Sequence, residues 1–307
     1  DYATRARIVE HHKTHALGLF WFLQNDPDVP EAFRQEARQW GLCRDEFEES
    51  GHFPPQLYIR EARRILGEHV FSEGDGLLQA GTLRSRLHPA SIAIADYNFN
   101  CHGIQPPQPI HPNVAEGDFS FVTAPIQVPY GVLVPRNMAN LLVPVAVSAT
   151  HVGYSILRME PTYAAMGQAA GLAAHLALQS GALVKDVPVP TLQKLLHERK
   201  ARTVYVADVP DDSPYFRAVQ HFGNRGFLHA LPEATNGTWQ PAKYRFSLHY
   251  THAMPHHEVR PDAPLDAALL TRWAPLVAPA LLEAERAHAL TLTRGQFLNW
   301  LLERDKK

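Results

Sequence analysis

The stretch 136–180 limits this chain more than any other. An apolar run at 140–145, NLLVPV, is followed from 148 by SATHVGYSILRMEPTYAAMGQAAGLAAHLAL. It reads as a short buried strand, a polar turn and a helix of small residues. Pro161 marks the helix start, because proline at a first helical position sacrifices no needed N–H and has its φ pre-set. The interior, 164–178, is rich in alanine and carries Gly167 and Gly171. A helix with so little bulk on one face admits another backbone or a flat ligand, or it simply packs tightly on a sheet. Its first-turn amides lack intrahelical partners and carry partial positive charge, which attracts anionic or electron-rich ligand atoms. Arg158 and His151 fall on the turn before it, where a strand-to-helix crossover opens at the carboxyl end of a sheet.

Upstream, residues 3–23 read as a helix, with Ile8, His12, His15, Leu19 and Phe22 recurring on one face until Asn25-Asp26-Pro27 stops it. A second helix is expected over 30–40, with Glu31 in its first turn and Gly41 after its end. The block 56–70 mixes strand-like residues with Arg60, Arg63 and Arg64, which a helix would bring onto adjacent faces. These arginines pair with carboxylates such as Glu61 and Glu68, or Arg63 and Arg64 face an anionic or sugar-like substrate through the guanidinium's fixed fork of donors. Residues 91–97 alternate as a strand and deliver Tyr97 and His102 into a loop ahead of a proline-rich run.

Four blocks occur in order: LYIREARRILG at 57–67, DYNFNCH at 96–102, VPYGVLVP at 128–135, and SATH, RMEP and GQAAG within 148–171. Together they resemble the carboxyl-terminal half of the xanthan-lyase-type FAD-dependent oxidoreductases, over roughly residues 5–200. The resemblance implies an α/β fold of mixed α+β character: the C-terminal half of a two-dinucleotide-fold flavoprotein, followed by a small helical domain. It implies that the GQAAG helix closes an FAD site, with Arg158, Glu160, Pro161, Gly167 and Gln168 lining or supporting its leading end and Ser148 and His151 on the turn before it. A reduced flavin gathers negative charge, so a helix N-terminus with an arginine nearby would stabilise that state. Tyr97 and His102 would approach from the opposite face. Histidine is suited to moving a proton near neutral pH, so His102 and His151 are the acid/base candidates, with hydrogen-bonded structural histidines as the other reading. The sequence departs from the family pattern at Gly131, where an arginine is expected, and at 98–101, which lacks an aspartate.

No GxGxxG turn for a dinucleotide occurs in the 307 residues. The expectation is a chain holding a cap segment (1–130), the C-terminal segment of the FAD domain (131–200) and an S-layer-homology-like helical tail (201–307). The nucleotide-binding half is truncated, unobserved or lost. FAD binding by this chain alone is then weak or absent, and the missing half of the same protein is a partner. The tail carries Asp208-Val209-Pro210 as a lead-in and Thr293 as an N-cap for a helix with Phe297, Trp300 and Leu301 on one face.

Hydrophobic residues at 45% and charged residues at 20% describe an ordinary globular protein, and a net charge of −2 with no basic patch argues against nucleic acid. No apolar stretch is long enough to span a membrane. Localisation stays open, the tail suggesting secretion or the cell envelope. Cys43 and Cys101 form no metal spacing and read as isolated buried thiols. His249, His252, His256 and His257 form either a metal tract or a surface loop. Two functions follow. One is an FAD-dependent oxidoreductase acting on a small, polar, carbohydrate-derived molecule. The other is a carbohydrate or cell-envelope binding module without a cofactor.

Overall fold

The computed structural model describes residues 1–58, 60–102, 119–232, 257–277 and 285–305; His249, His252 and His256 lie outside them. The chain divides into two compact units, Asp1–Arg60 and Glu61–Lys307. Positions 130 and 200 both fall inside the second unit.

In the first unit, helix α1 (Tyr2–Asn25) starts where the Asp1 carboxylate accepts the Thr4 amide at 2.8 Å, and closes at Asp26. Helix α2 (Glu31–Ala37) is tied to it by Gln24, whose amide donates to the Ala37 and Trp40 carbonyls at 3.0 and 2.9 Å. The expected apolar face of α1 is not the shielded one. Ile8, Leu19 and Phe22 are exposed, while Val9, Lys13, Ala16 and Gln24 are partly covered. Lys13 places its ammonium over the Phe53 ring. Helix α2 also stops short of Gly41, because the amides of Gln39 and Trp40 turn back to carbonyls three residues earlier.

The second unit is built around two short antiparallel pairs. Strand β1 (Ser91–Ala95) pairs with β4 (Ile126–Pro129), and β2 (Phe99–Cys101) pairs with β3 (Phe119–Phe121). Helix α5 (Glu160–Ser180) packs on β1 and buries Thr162, Met166, Ala169, Ala170, Ala173 and Ala177, one side of a 3.6-residue repeat. It ends at Gly181, whose φ of 66° is the left-handed conformation that glycine adopts without steric cost.

One expectation is corrected here, and one mixed reading resolves. Residues 140–145 form no strand: Pro144 has no N–H, Leu141 and Val145 are exposed, and the Val143 amide donates to the Leu133 carbonyl from an irregular turn. Residues 60–70 form no helix either. Their backbone runs extended beside 131–150, with Ile65, Glu68 and Phe71 amides donating to the Ala146, Val134 and Ser148 carbonyls. The bonds a helix needs are spent on this neighbour. The expected polar turn is itself a helix, α4 (His151–Leu157), capped by the Thr150 hydroxyl accepting from the Gly153 amide at 3.0 Å.

Helices α6 (Val189–Glu198), α7 (Phe216–Gly223), α8 (Ala267–Trp273) and α9 (Arg294–Arg304) follow. Trp273, fully buried, stacks on Phe297 and donates its indole N–H to the Phe227 carbonyl. Thr293 and Gln296 cap α9 reciprocally, as the Thr293 N-cap expectation requires. A buried polar seam joins these helices to the β1–β4 pair: Ser91 and Gln127 donate to the Thr203 carbonyl, and Gln127 also to Asn224. Of the cysteines, Cys101 is buried and Cys43 is exposed, against the expectation for the latter.

Two histidines on this seam set a pH response. His197 meets the Thr203 hydroxyl at 2.8 Å and His229 meets the Ser85 carbonyl at 2.9 Å. Burial pushes them down to about 3 and about 4, with positive neighbours adding to the effect. Unfolded histidine titrates near 6.5, so between these values the unfolded chain binds more protons than the folded one. Stability is complete above about pH 6.5 and falls by about 1.4 kcal/mol per histidine for each pH unit below it. Urea midpoints at pH 7.5 and pH 5 measure this; a midpoint unchanged at pH 5 would contradict the buried neutral imidazoles.

Candidate functional site

The site forms where three distant segments meet inside the second unit. Helix α4 starts at His151 and ends with Arg158 at its C-cap. The extended segment after Arg60 brings Glu61 against both. One Glu61 carboxylate oxygen accepts from Arg158 Nη1 at 3.0 Å, and the other lies 2.7 Å from His151 Nδ1. The second guanidinium arm, Nη2, donates to the Asn100 carbonyl. Asn100 in turn donates its side-chain amide to the Tyr97 hydroxyl at 3.1 Å. Tyr97, Asn100, Arg158, Glu61 and His151 thus form one hydrogen-bonded chain.

Burial gives these contacts their strength. Arg158 is 4% exposed, and charge-assisted bonds in such surroundings are stronger than neutral ones. Glu61 fixes His151 with its proton on Nδ1, leaving Nε2 as the basic nitrogen. That Nε2 is shielded from solvent and has no hydrogen-bond partner among the described residues. A bare, carboxylate-oriented imidazole nitrogen is a proton acceptor in waiting. Next to Asn100 on β2, burial pushes the Cys101 thiol up, which keeps it protonated and unreactive.

The remaining expected residues are distributed differently. Both guanidinium arms of Arg158, two residues before α5, are taken by Glu61 and Asn100. Arg64 is spent on the Ala149 and Ala62 carbonyls and lies over the Tyr154 ring at 5.1 Å, pinning the entry to α4. Neither Arg63 nor Arg64 sits on a helix, and Arg63 is exposed. His102 is exposed, just past β2. Ser148 is fully buried, and its hydroxyl has no hydrogen-bond partner among the described residues.

Glu160, Pro161 and Gln168 are exposed on α5. No side chain caps that helix, and a Cβ added at Gly167 or Gly171 would meet nothing within 4 Å. Gly131 is different: a Cβ there would meet His69 Cβ at 2.9 Å, so the arginine expected at this position has no room. A cleft of about 330 Å³ lies elsewhere, between α6, α7 and α9. Its Arg217 and Arg225 are already paired with Glu198 and Asp305.

Glu61 is the member that sequence reasoning missed as a site residue. It was legible as a partner for arginines, but the arginine it meets is 97 positions away. The fold and site define a class: a mixed α/β protein of helices and small sheets, with a carboxylate-bound imidazole and a long helix that no described side chain caps. The chain belongs to the FAD dependent oxidoreductase family, whose sequence profile matches residues 1–196. Membership implies the use of FAD. No curated protein and no solved structure matches the chain.

Proposed function

We propose that this chain carries the acid/base group and the carboxyl-terminal cofactor wall of a flavoenzyme, with His151 Nε2 as the proton acceptor. The observation that carries this reading is the Glu61–His151 contact at 2.7 Å, with the opposite imidazole nitrogen left bare. The cofactor wall rests on separate features. The start of α5, which no described side chain caps, offers first-turn amides, the Ser148 hydroxyl has no hydrogen-bond partner among the described residues, and Gly167 and Gly171 leave open space along one side. These features suit a flat, electron-rich ring, with Glu160, Pro161 and Gln168 around it. Bound FAD supplies the hydride-accepting chemistry. The protein's own residues position the substrate and take the proton from its O–H or N–H as the C–H bond is oxidised. Arg158 serves as a positioning residue that holds Glu61 aimed at His151.

The four sequence blocks support a xanthan-lyase-type subgroup and a polar, carbohydrate-derived substrate. In this reading residues 1–130 form the substrate cap, with Tyr97 and His102 on its inner side and Arg63 near the substrate. Residues 131–200 complete the cofactor domain. Residues 201–307 form an S-layer-homology-like tail, supported by the Asp208-Val209-Pro210 lead-in and the Thr293 cap.

The test uses the natural polypeptide that contains this chain. It is expected to be yellow, with a flavin band that dithionite bleaches. His151→Gln is expected to keep the band but slow its bleaching by polar carbohydrate substrates about 10²–10⁴-fold and to shift the pH profile. A colourless protein that resists FAD reconstitution would overturn the flavin reading in favour of a binding module. Unchanged bleaching in His151→Gln would remove that residue from its role.

A further inference from the structure

A second constellation in the same unit belongs to neither the cofactor wall nor the Glu61 chain. His69 follows the extended segment, Asp75 lies in the one-turn helix α3 (Glu73–Gly76), and His88 precedes β1. Asp75 Oδ1 is 3.2 Å from His69 Nε2 and 3.4 Å from His88 Nε2. The three donor atoms all lie within 4.8 Å of one another. For a tetrahedral ion with bonds of about 2.0–2.1 Å to imidazole nitrogen and carboxylate oxygen, ligand atoms stand about 3.3 Å apart. Two edges of this triangle already have that length.

Protons alone do not account for the arrangement. The other Asp75 oxygen, Oδ2, accepts from the Ser72 amide at 2.6 Å and the Ser72 hydroxyl at 3.0 Å, so Oδ1 is directed at the histidines. His69 is hydrogen-bonded to Oδ1, but His88 Nε2, buried and 3.4 Å from the same oxygen, makes no hydrogen bond among the described residues. An orphaned buried nitrogen calls for an explanation. The surroundings resemble a prepared ligand shell. Gln127 accepts from the His88 amide at 3.1 Å, Phe71 walls the cluster, and Gly131 abuts His69. His69 is the half-open side, through which an ion and a water could enter.

We propose that His69 Nε2, Asp75 Oδ1 and His88 Nε2 are three ligands of a zinc-class divalent metal ion, with the fourth position open to solvent. Two imidazoles and one carboxylate suit Zn²⁺ and its cobalt surrogate better than Mg²⁺ or Ca²⁺, which take oxygen sets. The site is independent of the flavin reading.

The full chain, stripped by a chelator, is titrated with Co²⁺. The expected result is saturable binding with the intense visible bands of a four-coordinate ion, abolished by one equivalent of Zn²⁺. His69→Gln, at a half-exposed position, and His88→Gln are both expected to lose these bands. A variant with His249, His252 and His256 all replaced by alanine is expected to keep them, separating this site from that tract. Circular dichroism checks that each variant folds, and a Zn²⁺-induced rise in Tm, absent in His69→Gln, gives a second readout. Absence of four-coordinate bands in the parent protein, or bands undiminished in His69→Gln, would overturn the proposal.

Discussion

Arg158→Ala is expected to lower the unfolding free energy by about 3–5 kcal/mol, the usual cost of removing one partner from a buried ion pair. The guanidinium is almost wholly enclosed and serves two acceptors, the Glu61 carboxylate and the Asn100 carbonyl. Its removal leaves a charge and a backbone oxygen in a poorly solvated pocket, and the loss comes from that stranding more than from the attraction itself. The double variant Arg158→Ala/Glu61→Ala should therefore cost clearly less than the sum of the single changes. Arg158→Lys should fall between, since an ammonium keeps the charge but cannot span both acceptors with a rigid fork. Guanidinium chloride denaturation of the four proteins measures all of this. Additive single effects would show that Arg158 and Glu61 do not act as a pair.

The second large effect is at Gly153, inside α4. A Cβ there would meet the Phe71 carbonyl oxygen at 2.4 Å and the Ser72 Cα at 3.0 Å. The obstacle is backbone, held by the Phe71 and Thr150 amides bonding across to the Ser148 and Phe71 carbonyls. It cannot swing aside as a side chain can. Gly153→Ala is expected to destabilise by about 2–3 kcal/mol, even after the gain of up to about 1 kcal/mol that alanine brings to a helix. Gly167→Ala and Gly171→Ala should act with the opposite sign, because their Cβ atoms enter open space and only the helix propensity changes. Thermal denaturation of the three variants decides the matter. A neutral Gly153→Ala would mean that α4 is not seated as closely as described.

The contrast between these glycines shows what a sequence can and cannot disclose. Helices α1 and α5 and strand β1 were legible because their signals are local: residues recurring at helical spacing up to a proline stop, a proline at a first turn, alternation along a short run. The orientation of α1 was not, since the expected face and its neighbours in sequence are nearly equally apolar. Residues 140–145 misled because an apolar run with proline in it reads as buried chain, whereas its backbone has no neighbouring strand to join. The block around the arginines at 60–64 gave a mixed signal. Their spacing fits a helix, but a long-range extended pairing with 131–150 takes the backbone first.

The site divides along the same line. His151 and Arg158 stand out by motif, and Tyr97 lies on the same hydrogen-bonded chain. Their linkage through Glu61 and Asn100 depends on contacts spanning 58 and 97 positions, which no spacing rule contains. Arg158 shows the cost of reading a motif without its partners. A guanidinium near a helix start suggests a ligand contact, and here it is consumed by the protein's own carboxylate. Likewise, His69, Asp75 and His88 sit at no spacing that marks a ligand set.

The family-matching stretch ends at residue 196, yet acceptors beyond it serve side chains within it. The Thr203 carbonyl receives Ser91 and Gln127, and the Tyr205 carbonyl receives the otherwise enclosed Arg84. Cutting the chain at 196 would strip three enclosed polar side chains of these acceptors at once, so the stretch beyond the match is a structural dependency of the matched one.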